Sequence, residues 1–218
     1  MTLSPVYVVT SSSCDRVQWT RFFPAVEHAR VLLEDGSIGS VNSLHSDFPD
    51  PCYDFQYAPM VFGAANKPTA VVATGGPTPG AARAAIAQYG SDGVAVFPLS
   101  TFGVEFPEIT EIYGSKGRIT LEQPGHCPTT ITIRRHENEG PYRYRNSNTP
   151  APIETVEYPL PMTIATMPNQ GGFVYMGNAV HRCVAAGLTE CPQYPKADSM
   201  ATMELIDATA QNTVTANM

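Results

Sequence analysis

The spacing of apolar residues along the chain predicts three amphipathic helices. Apolar side chains recur at helical spacing from Pro24, and Gly36 stands where a left-handed residue would end the first helix. Two further helical stripes occupy residues 173–187 and 198–211, the second with Asp198 as its N-cap.

Segments rich in β-branched residues and bounded by glycine or proline predict a series of strands. They cover residues 5–10, 38–48, 68–74, 93–102, 109–113, 118–122, 129–135 and 153–160. The alanine-rich residues 81–89 fit either a helix or a strand, and residues 53–62 fit a short helix kinked at Pro59. Residues 136–152 are polar and predict a long exposed loop. The four consecutive strands between residues 93 and 135 are typical of a meander.

A run of strands with helices at both ends predicts an α+β fold, in which a mostly antiparallel sheet is covered by helices on one face. We expect one domain over residues 16–212, after a short strand and turn over 1–15 and before a tail over 213–218. The other face of such an open sheet needs a cover, so we expect a homo-oligomer that pairs through it.

Composition argues against several kinds of partner. The chain has 13 basic and 20 acidic residues, a formal net charge of -7, and no basic cluster that would indicate nucleic-acid binding.

No apolar run has the length of a membrane span or a signal peptide, and the five cysteines contain no Cys-x-x-Cys pair, so we expect a cytoplasmic protein. His126 and Cys127 lack a second pair of ligands, and we therefore expect no metal site.

Six short motifs follow one another in order across residues 16–210. They are Trp19–Pro24, Glu34–Gly39, Tyr57–Gly63, Lys67–Gly75, Ile112–Ile119, and Ala179–Gly187 with Glu190–Pro192. Together they resemble the C-terminal domain of the glucose-fructose oxidoreductase and inositol dehydrogenase superfamily, most closely its dihydrodiol dehydrogenase branch. The resemblance implies a substrate-binding and dimerising α+β domain that works beside a separate nucleotide-binding domain.

The nucleotide-binding motifs of that superfamily are absent from this sequence. No Gly-x-Gly-x-x-Gly occurs, because prolines interrupt Gly75–Gly80 and Gly114–Gly117 lies between predicted strands. The superfamily's Glu-Lys-Pro motif, whose lysine lies beside the nicotinamide, is absent too. The 18 residues before Trp19 are too few for a βαβ unit. We therefore expect a cofactor-independent enzyme of secondary metabolism, an isomerase or cyclase of lyase type that positions a small, largely apolar metabolite.

Two other functions stay open. The first is an NAD(P)-dependent oxidoreductase subunit that needs a nucleotide-binding partner. The second is a non-catalytic binding or dimerisation module. Titration of the purified chain with NADP or NAD separates the expected enzyme from the first alternative, because a bound nucleotide raises the melting temperature.

The catalytic candidates follow from the superfamily's Asp-x-Gly-x-Tyr element, which lies beside the substrate. Asp50 and Tyr53 resemble its two polar residues, with one residue fewer between them. His45, on the preceding predicted strand, is a third acid or base candidate, although a structural role suits it as well.

The substrate-binding candidates are aromatic residues and polar groups near the two ends of the domain. They are Trp19, Arg21, Phe22, Phe173, Tyr175 and His181. For Trp19 and Phe22 a place in the hydrophobic core is the alternative. For Arg21 the alternative is an ion pair, and for His181 it is a helix surface.

Overall fold

A computed structural model describes residues 18–48, 51–75, 82–99, 106–136, 152–161 and 168–215. The strand expected over 5–10, Asp50 and most of the loop expected over 136–152 lie outside the described residues.

The described residues contain five α-helices and two short 3-10 helices. The α-helices are α1 (Pro24–Glu34), α2 (Pro51–Phe55), α3 (Tyr57–Phe62), α4 (Phe173–Ala185) and α5 (Lys196–Gln211), and the 3-10 helices are Thr20–Phe22 and Gln170–Gly172. None of the helices in these parts of the chain has the length and apolar character that a membrane crossing requires.

Nine strands in the described residues form one sheet. They are β1 (Val41–Ser46), β2 (Ala70–Gly75), β3 (Ala82–Tyr89), β4 (Gly93–Pro98), β5 (Thr110–Gly114), β6 (Gly117–Leu121), β7 (Thr130–Arg135), β8 (Ile153–Glu157) and β9 (Thr213–Thr215). Their order is β8-β7-β6-β5-β1-β4-β3-β2-β9. Only the β1–β4 and β2–β9 pairings are parallel, so the predicted α+β fold with a mostly antiparallel sheet is confirmed. The strand β9 lies in the segment expected to be a tail.

The single meander expected between residues 93 and 135 is wrong. β1 lies between β4 and β5, and Leu44 pairs with Ala95 on one side and with Ile112 on the other. All three side chains are fully buried, so β1 is a central strand of the core. The sheet therefore consists of two antiparallel runs, β4-β3-β2 and β5-β6-β7-β8, joined through β1.

Two ambiguous segments are settled by packing. Residues 82–89 form a strand that pairs with β2 and β4, α5 packs against this strand, and its Ala85 and Ala87 are buried. The expected kinked helix over 53–62 is two helices that meet at Gln56, and Pro59 falls in the first turn of α3, where proline is tolerated.

The predicted N-cap of the last helix is wrong. α5 begins at Lys196 after Pro195, so Asp198 lies inside its first turn. The Asp198 carboxylate is buried against Arg21 and does not cap the helix.

The two faces of the sheet differ in cover. On one face α1 packs against β6 and β7, and the buried side chains of Ile119, Ile131 and Ile133 lie beneath it. The opposite face, named here the open face, carries Val72 and Ile86, which are paired across β2 and β3 and are 61% and 47% exposed. Pairing of two copies through the open face stays a prediction.

Candidate functional site

Five ring-bearing residues from five separate segments meet beyond one end of the sheet. This aromatic cluster consists of Trp19, Phe48, Tyr53, His126 and Phe173. The Trp19 and Phe173 rings are stacked, with centroids 4.2 Å apart and planes inclined by 18°. The His126 ring centroid lies 5.3 Å from that of Phe48, 6.1 Å from that of Trp19 and 6.3 Å from that of Tyr53. The cluster therefore combines apolar aromatic faces with two polar groups, the hydroxyl of Tyr53 and the imidazole of His126.

The stack of Trp19 on Phe173 depends on a glycine. A Cβ atom at Gly172 would lie 2.2 Å from Phe23 Cζ and 2.6 Å from Trp19 Cζ3, so no larger residue fits without displacing these rings. Phe23 and Trp19 are themselves in edge-to-face contact, with centroids 5.2 Å apart. The start of α4 can therefore reach Trp19 only because residue 172 has no side chain.

The connection between β6 and β7 carries His126 into the cluster. The Thr20 hydroxyl donates a hydrogen bond of 2.8 Å to the His126 carbonyl, which ties this connection to the turn that follows Trp19. Gly125, next to it, approaches the Glu108 carbonyl so closely that a Cβ would lie 3.0 Å from it. The position of the imidazole is thus set by backbone contacts on both sides.

A buried carboxylate positions the Phe48 and Tyr53 part of the cluster. Both oxygens of Asp54 accept hydrogen bonds from the Phe48 amide, at 3.0 and 2.9 Å. The Ser46 hydroxyl donates to the same carboxylate at 2.6 Å. Asp54 is adjacent to Tyr53, so this side chain locks α2 against the end of β1, and Phe48 and Tyr53 meet edge to face at 5.1 Å.

His126 has an unusual environment for a histidine. Its Nε2 atom lies 3.2 Å from Asn169 Nδ2, and no described residue offers a hydrogen-bond partner to its buried Nδ1 atom. Burial lowers the pKa of His126 because the aromatic surroundings disfavour the charged imidazolium. Asn169 has a positive φ of 66°, which asparagine adopts more readily than most residues. The imidazole is therefore neutral near pH 7.

The structure brings three of the sequence-predicted site residues together and leaves others apart. Trp19, Tyr53 and Phe173 belong to the aromatic cluster. His45 lies on the open face, exposed, beside Tyr113 at 5.2 Å. It cannot act together with Tyr53, because successive residues of a strand point to opposite faces and Ser46 is the one that reaches α2.

Two other aromatic candidates serve packing. Phe22 is buried in a small apolar group with Ala179, Cys183 and Cys191, away from the aromatic cluster. Tyr175 lies edge to face with Phe23 at 5.3 Å and donates its hydroxyl to the Pro159 carbonyl at 3.2 Å. Their predicted contact with substrate is not supported by these positions.

The polar candidates Arg21 and His181 also lie elsewhere. His181 is exposed on α4, about two turns beyond Phe173. The Arg21 guanidinium is buried, donates to the Gln56 carbonyl at 2.7 Å and to Asp198 Oδ2 at 2.8 Å, and lies over the Tyr194 ring. The alternative of an ion pair, not a substrate contact, accounts for Arg21.

Sequence reasoning missed two members of the cluster. The sequence pattern predicts Phe48 as the end of a strand and presents His126 only as a metal-ligand candidate. The signal for His126 was its place in the glycine- and proline-rich turn between two strands, at an end of the sheet. No group of three or more potential metal ligands occurs within the described ranges.

A dinucleotide does not fit the helix N-termini of this structure. Its pyrophosphate needs a helix that opens onto a glycine-rich turn. Among the described α-helices only α4 follows a glycine pair, Gly171 and Gly172, and both glycines are buried in the 3-10 turn that runs into the helix. None of the described α-helices therefore offers a pyrophosphate the glycine-rich N-terminus that this motif requires.

No profile of a known protein family matches the chain. The sequence is 26% identical over 215 residues to trans-1,2-dihydrobenzene-1,2-diol dehydrogenase from Xenopus laevis, 27% over 223 residues to that from Danio rerio, and 23% over 213 residues to that from Homo sapiens. Each match covers 87% of this chain and 58 to 59% of the relative. The chain thus spans less than two thirds of the length of these relatives.

Solved structures share the fold. Levoglucosan dehydrogenase, in complex with NADH and levoglucosan, matches with a TM-score of 0.65 and 14% identity over 89% of this chain and 62% of its own. The 3-ketoreductase KijD10 from Actinomadura kijaniata, in an open conformation with TDP-benzene and NADP, matches with a TM-score of 0.62 and 16% identity over 92% of this chain and 61% of its own.

The expected cofactor-independent isomerase or cyclase is wrong. The relatives found by sequence are dehydrogenases, and this finding overturns the expected isomerase or cyclase. This chain is homologous to the trans-1,2-dihydrobenzene-1,2-diol dehydrogenases, and its α+β fold is the one found in part of levoglucosan dehydrogenase and of KijD10.

Proposed function

We propose that this chain provides the substrate-binding part of an NAD(P)-dependent oxidoreductase that acts on a small alcohol with an apolar ring, such as a trans-dihydrodiol. The observation that carries the proposal is the aromatic cluster, built from five segments in a chain homologous to dehydrogenases of a dihydrobenzene diol. Aromatic faces with a few polar groups are the usual lining of a site for a small apolar molecule.

The stacked pair of Trp19 and Phe173 suits the apolar ring of such a substrate. Phe173, the first residue of α4, is 42% exposed, so its ring is accessible from solvent. Trp19 beneath it is buried, and it gives the stack a rigid base. A planar ligand placed on this surface gains contact with aromatic carbon on at least one side.

Tyr53 is the polar residue that we assign to the reacting alcohol. Its half-buried ring borders Phe48 and His126, and the hydrogen bonds within the described residues do not involve its hydroxyl. A phenol can both donate to and accept from a substrate hydroxyl. This role agrees with the resemblance of Tyr53 to the tyrosine of the superfamily's Asp-x-Gly-x-Tyr element.

The nucleotide is, in this proposal, bound by protein outside the described residues, because the described helices offer its pyrophosphate no glycine-rich N-terminus. The cofactor would accept or supply the hydride, and the chain's own part is to bind and orient the alcohol. This arrangement corresponds to the first alternative that the sequence left open, an NAD(P)-dependent oxidoreductase subunit that needs a nucleotide-binding partner.

Trp19 makes the proposal directly testable, because it is the single tryptophan of the chain. We expect trans-1,2-dihydrobenzene-1,2-diol to change the Trp19 emission in a saturable manner and to raise the melting temperature by mass action. Glycerol, a polyol without a ring, serves as the control ligand and should do neither. The absence of any saturable change with the diol up to millimolar concentration would overturn the proposed substrate class.

A further inference from the structure

We propose that His126 is a substrate-binding residue, whose Nδ1–H group donates a hydrogen bond to an oxygen atom of the bound alcohol or ketone. The proposal deepens the function proposed above and rests on it. It assigns a role to a residue that the sequence motifs do not single out.

The hydrogen bond at the opposite ring nitrogen defines the donor. The Asn169 side-chain amide presents Nδ2, a group with two hydrogens, to His126 Nε2 at 3.2 Å. In this orientation Nε2 is the acceptor, so a neutral imidazole carries its proton on Nδ1. The shorter polar contact of the residue, 2.8 Å from the Thr20 hydroxyl to the His126 carbonyl, does not involve the ring.

The donor at Nδ1 has no partner in the part of the chain that the structure describes. Buried polar groups of side chains are nearly always hydrogen-bonded, because an unpaired one loses its hydration without compensation. The Nδ1 atom is buried among rings that offer no acceptor oxygen other than the phenol of Tyr53, and the centroids of these two rings are 6.3 Å apart. An oxygen atom supplied by a ligand would satisfy the donor.

The surroundings of Nδ1 select the kind of ligand. Trp19, Phe48 and Tyr53 border the imidazole at centroid distances of 5.3 to 6.3 Å, so the body of a molecule that reaches it meets aromatic carbon. Trp19 is buried in its stack, whereas Phe48 and Tyr53 are only half-buried, so a ligand would reach the imidazole from their side. The chemistry therefore fits a compact apolar ring that carries a hydroxyl or carbonyl oxygen.

Two six-membered-ring ligands, one with two hydroxyl groups and one without oxygen, test this assignment. Trp19 emission is titrated with trans-1,2-dihydrobenzene-1,2-diol and with benzene, for the wild type and for three variants. His126→Phe keeps an aromatic ring and removes the donor, and His126→Gln replaces the ring by an amide donor. His28→Phe is the matched control, because His28 is also half-buried and hydrogen-bonded through one ring nitrogen, to the Tyr158 hydroxyl, outside the cluster.

We expect His126→Phe to lower the affinity for the diol by roughly threefold to tenfold, which is the effect of one lost hydrogen bond. The affinity for benzene should stay unchanged. His126→Gln should restore part of the diol affinity, and His28→Phe should bind both ligands as the wild type does. In the wild type, ¹⁵N-detected spectra of the histidine rings should show the Nδ1–H tautomer of His126, and its Nδ1 resonance should shift with the diol.

Other outcomes separate the failure of this assignment from failure of the proposed function. If the wild type binds the diol and His126→Phe binds it equally well, the role of His126 is refuted while the proposed function stands. An equal loss of diol and benzene binding in His126→Phe also refutes it, because the ring then serves packing only. If the wild type binds no diol, the proposed function fails and this inference with it.

Discussion

The guanidinium of Arg21 donates a hydrogen bond of 2.8 Å to the carboxylate of Asp198, although 177 positions separate the two residues. Arg21 is only 2% exposed, and its second terminal nitrogen donates to the carbonyl of Gln56, at the junction of α2 and α3. One buried cation therefore joins the turn after Trp19, the helix pair that carries Tyr53, and the last helix of the chain.

Breaking this buried ion pair should be strongly destabilising. We expect Asp198→Asn to lower the free energy of unfolding by about 3 to 5 kcal/mol, because it leaves the Arg21 charge buried without a counter-charge. The double variant Arg21→Met with Asp198→Leu should regain most of the loss. Urea unfolding measures both. Lys67→Ala, which removes the exposed ion pair with Glu204, should change the free energy of unfolding by less than about 1 kcal/mol. A loss as large as that of Asp198→Asn would contradict the importance of burial for the Arg21 pair.

Gly172 should not tolerate a side chain. The Cβ of Gly172→Ala would meet the buried Phe23 and Trp19 rings, so we expect a loss of about 1 to 3 kcal/mol and a shift of the Trp19 emission. Gly177, five positions further along the chain and inside α4, is the matched control, because a Cβ there meets nothing within 4 Å. Gly177→Ala should stabilise the protein by up to about 1 kcal/mol, since alanine is the better helix former. Equal melting temperatures for the two variants would show that the Phe23 and Trp19 rings do not require a glycine at position 172.

The lowered pKa of His126 makes stability depend on pH. The folded protein binds a proton at His126 less readily than the unfolded chain, whose histidine has a pKa of about 6.5. Stability is therefore complete above that value and is lost as pH falls through it toward the lower folded pKa. We expect the melting temperature of His126→Phe to fall less steeply than that of the wild type below about pH 6.5. Parallel curves from differential scanning calorimetry would show that His126 does not contribute.

Tyr53 should matter for oxygen-bearing ligands only. We expect Tyr53→Phe to lower the affinity for trans-1,2-dihydrobenzene-1,2-diol by roughly threefold to tenfold, the effect of one lost hydrogen bond. The affinity for benzene should not change. Trp19 emission measures both affinities. Tyr89→Phe is the control, because Tyr89 stacks on Phe62 outside the aromatic cluster, with centroids 4.4 Å apart. A diol affinity that survives in Tyr53→Phe removes this hydroxyl from the site.

Pairing through the open face can be tested by charge. If two copies pair there, Ile86→Lys should shift the sedimentation coefficient toward the monomer, because it places a cation among Val72 and its neighbours. Val31→Lys is the matched control, since Val31 on α1 is also 47% exposed but lies off the sheet. A wild type that sediments as a monomer at high micromolar concentration would refute the predicted oligomer.

The sequence predicted the local elements well where the periodicity was clear. The stripe from Pro24, the strands around Leu44 and Ile131 and the helix that ends before Gly187 are all present. It left residues 81–89 open between helix and strand, because alanine fits both, and it was wrong about Asp198, because an aspartate near a helix start fits both a cap and an ion pair. In both cases a contact distant in sequence decided the outcome.

The candidate site divides in the same manner. Trp19, Tyr53 and Phe173 were sequence candidates that the cluster contains, but the candidate His45 lies on the open face, one position from Ser46, which reaches α2. A strand exposes alternate residues to opposite faces, and the sequence alone does not state which face a helix will cover.

By itself, the sequence determined the class of the fold, the likeness to dihydrodiol dehydrogenases and the glycines at tight turns, because these depend on local periodicity and short motifs. Tertiary structure alone decided that β1 enters the centre of the sheet, that Arg21 is a buried link, and that Phe48 and His126 join the rings of Trp19 and Tyr53. These relationships arise from contacts between residues tens to hundreds of positions apart. Such contacts depend on how helices cover a sheet, and no local pattern encodes that.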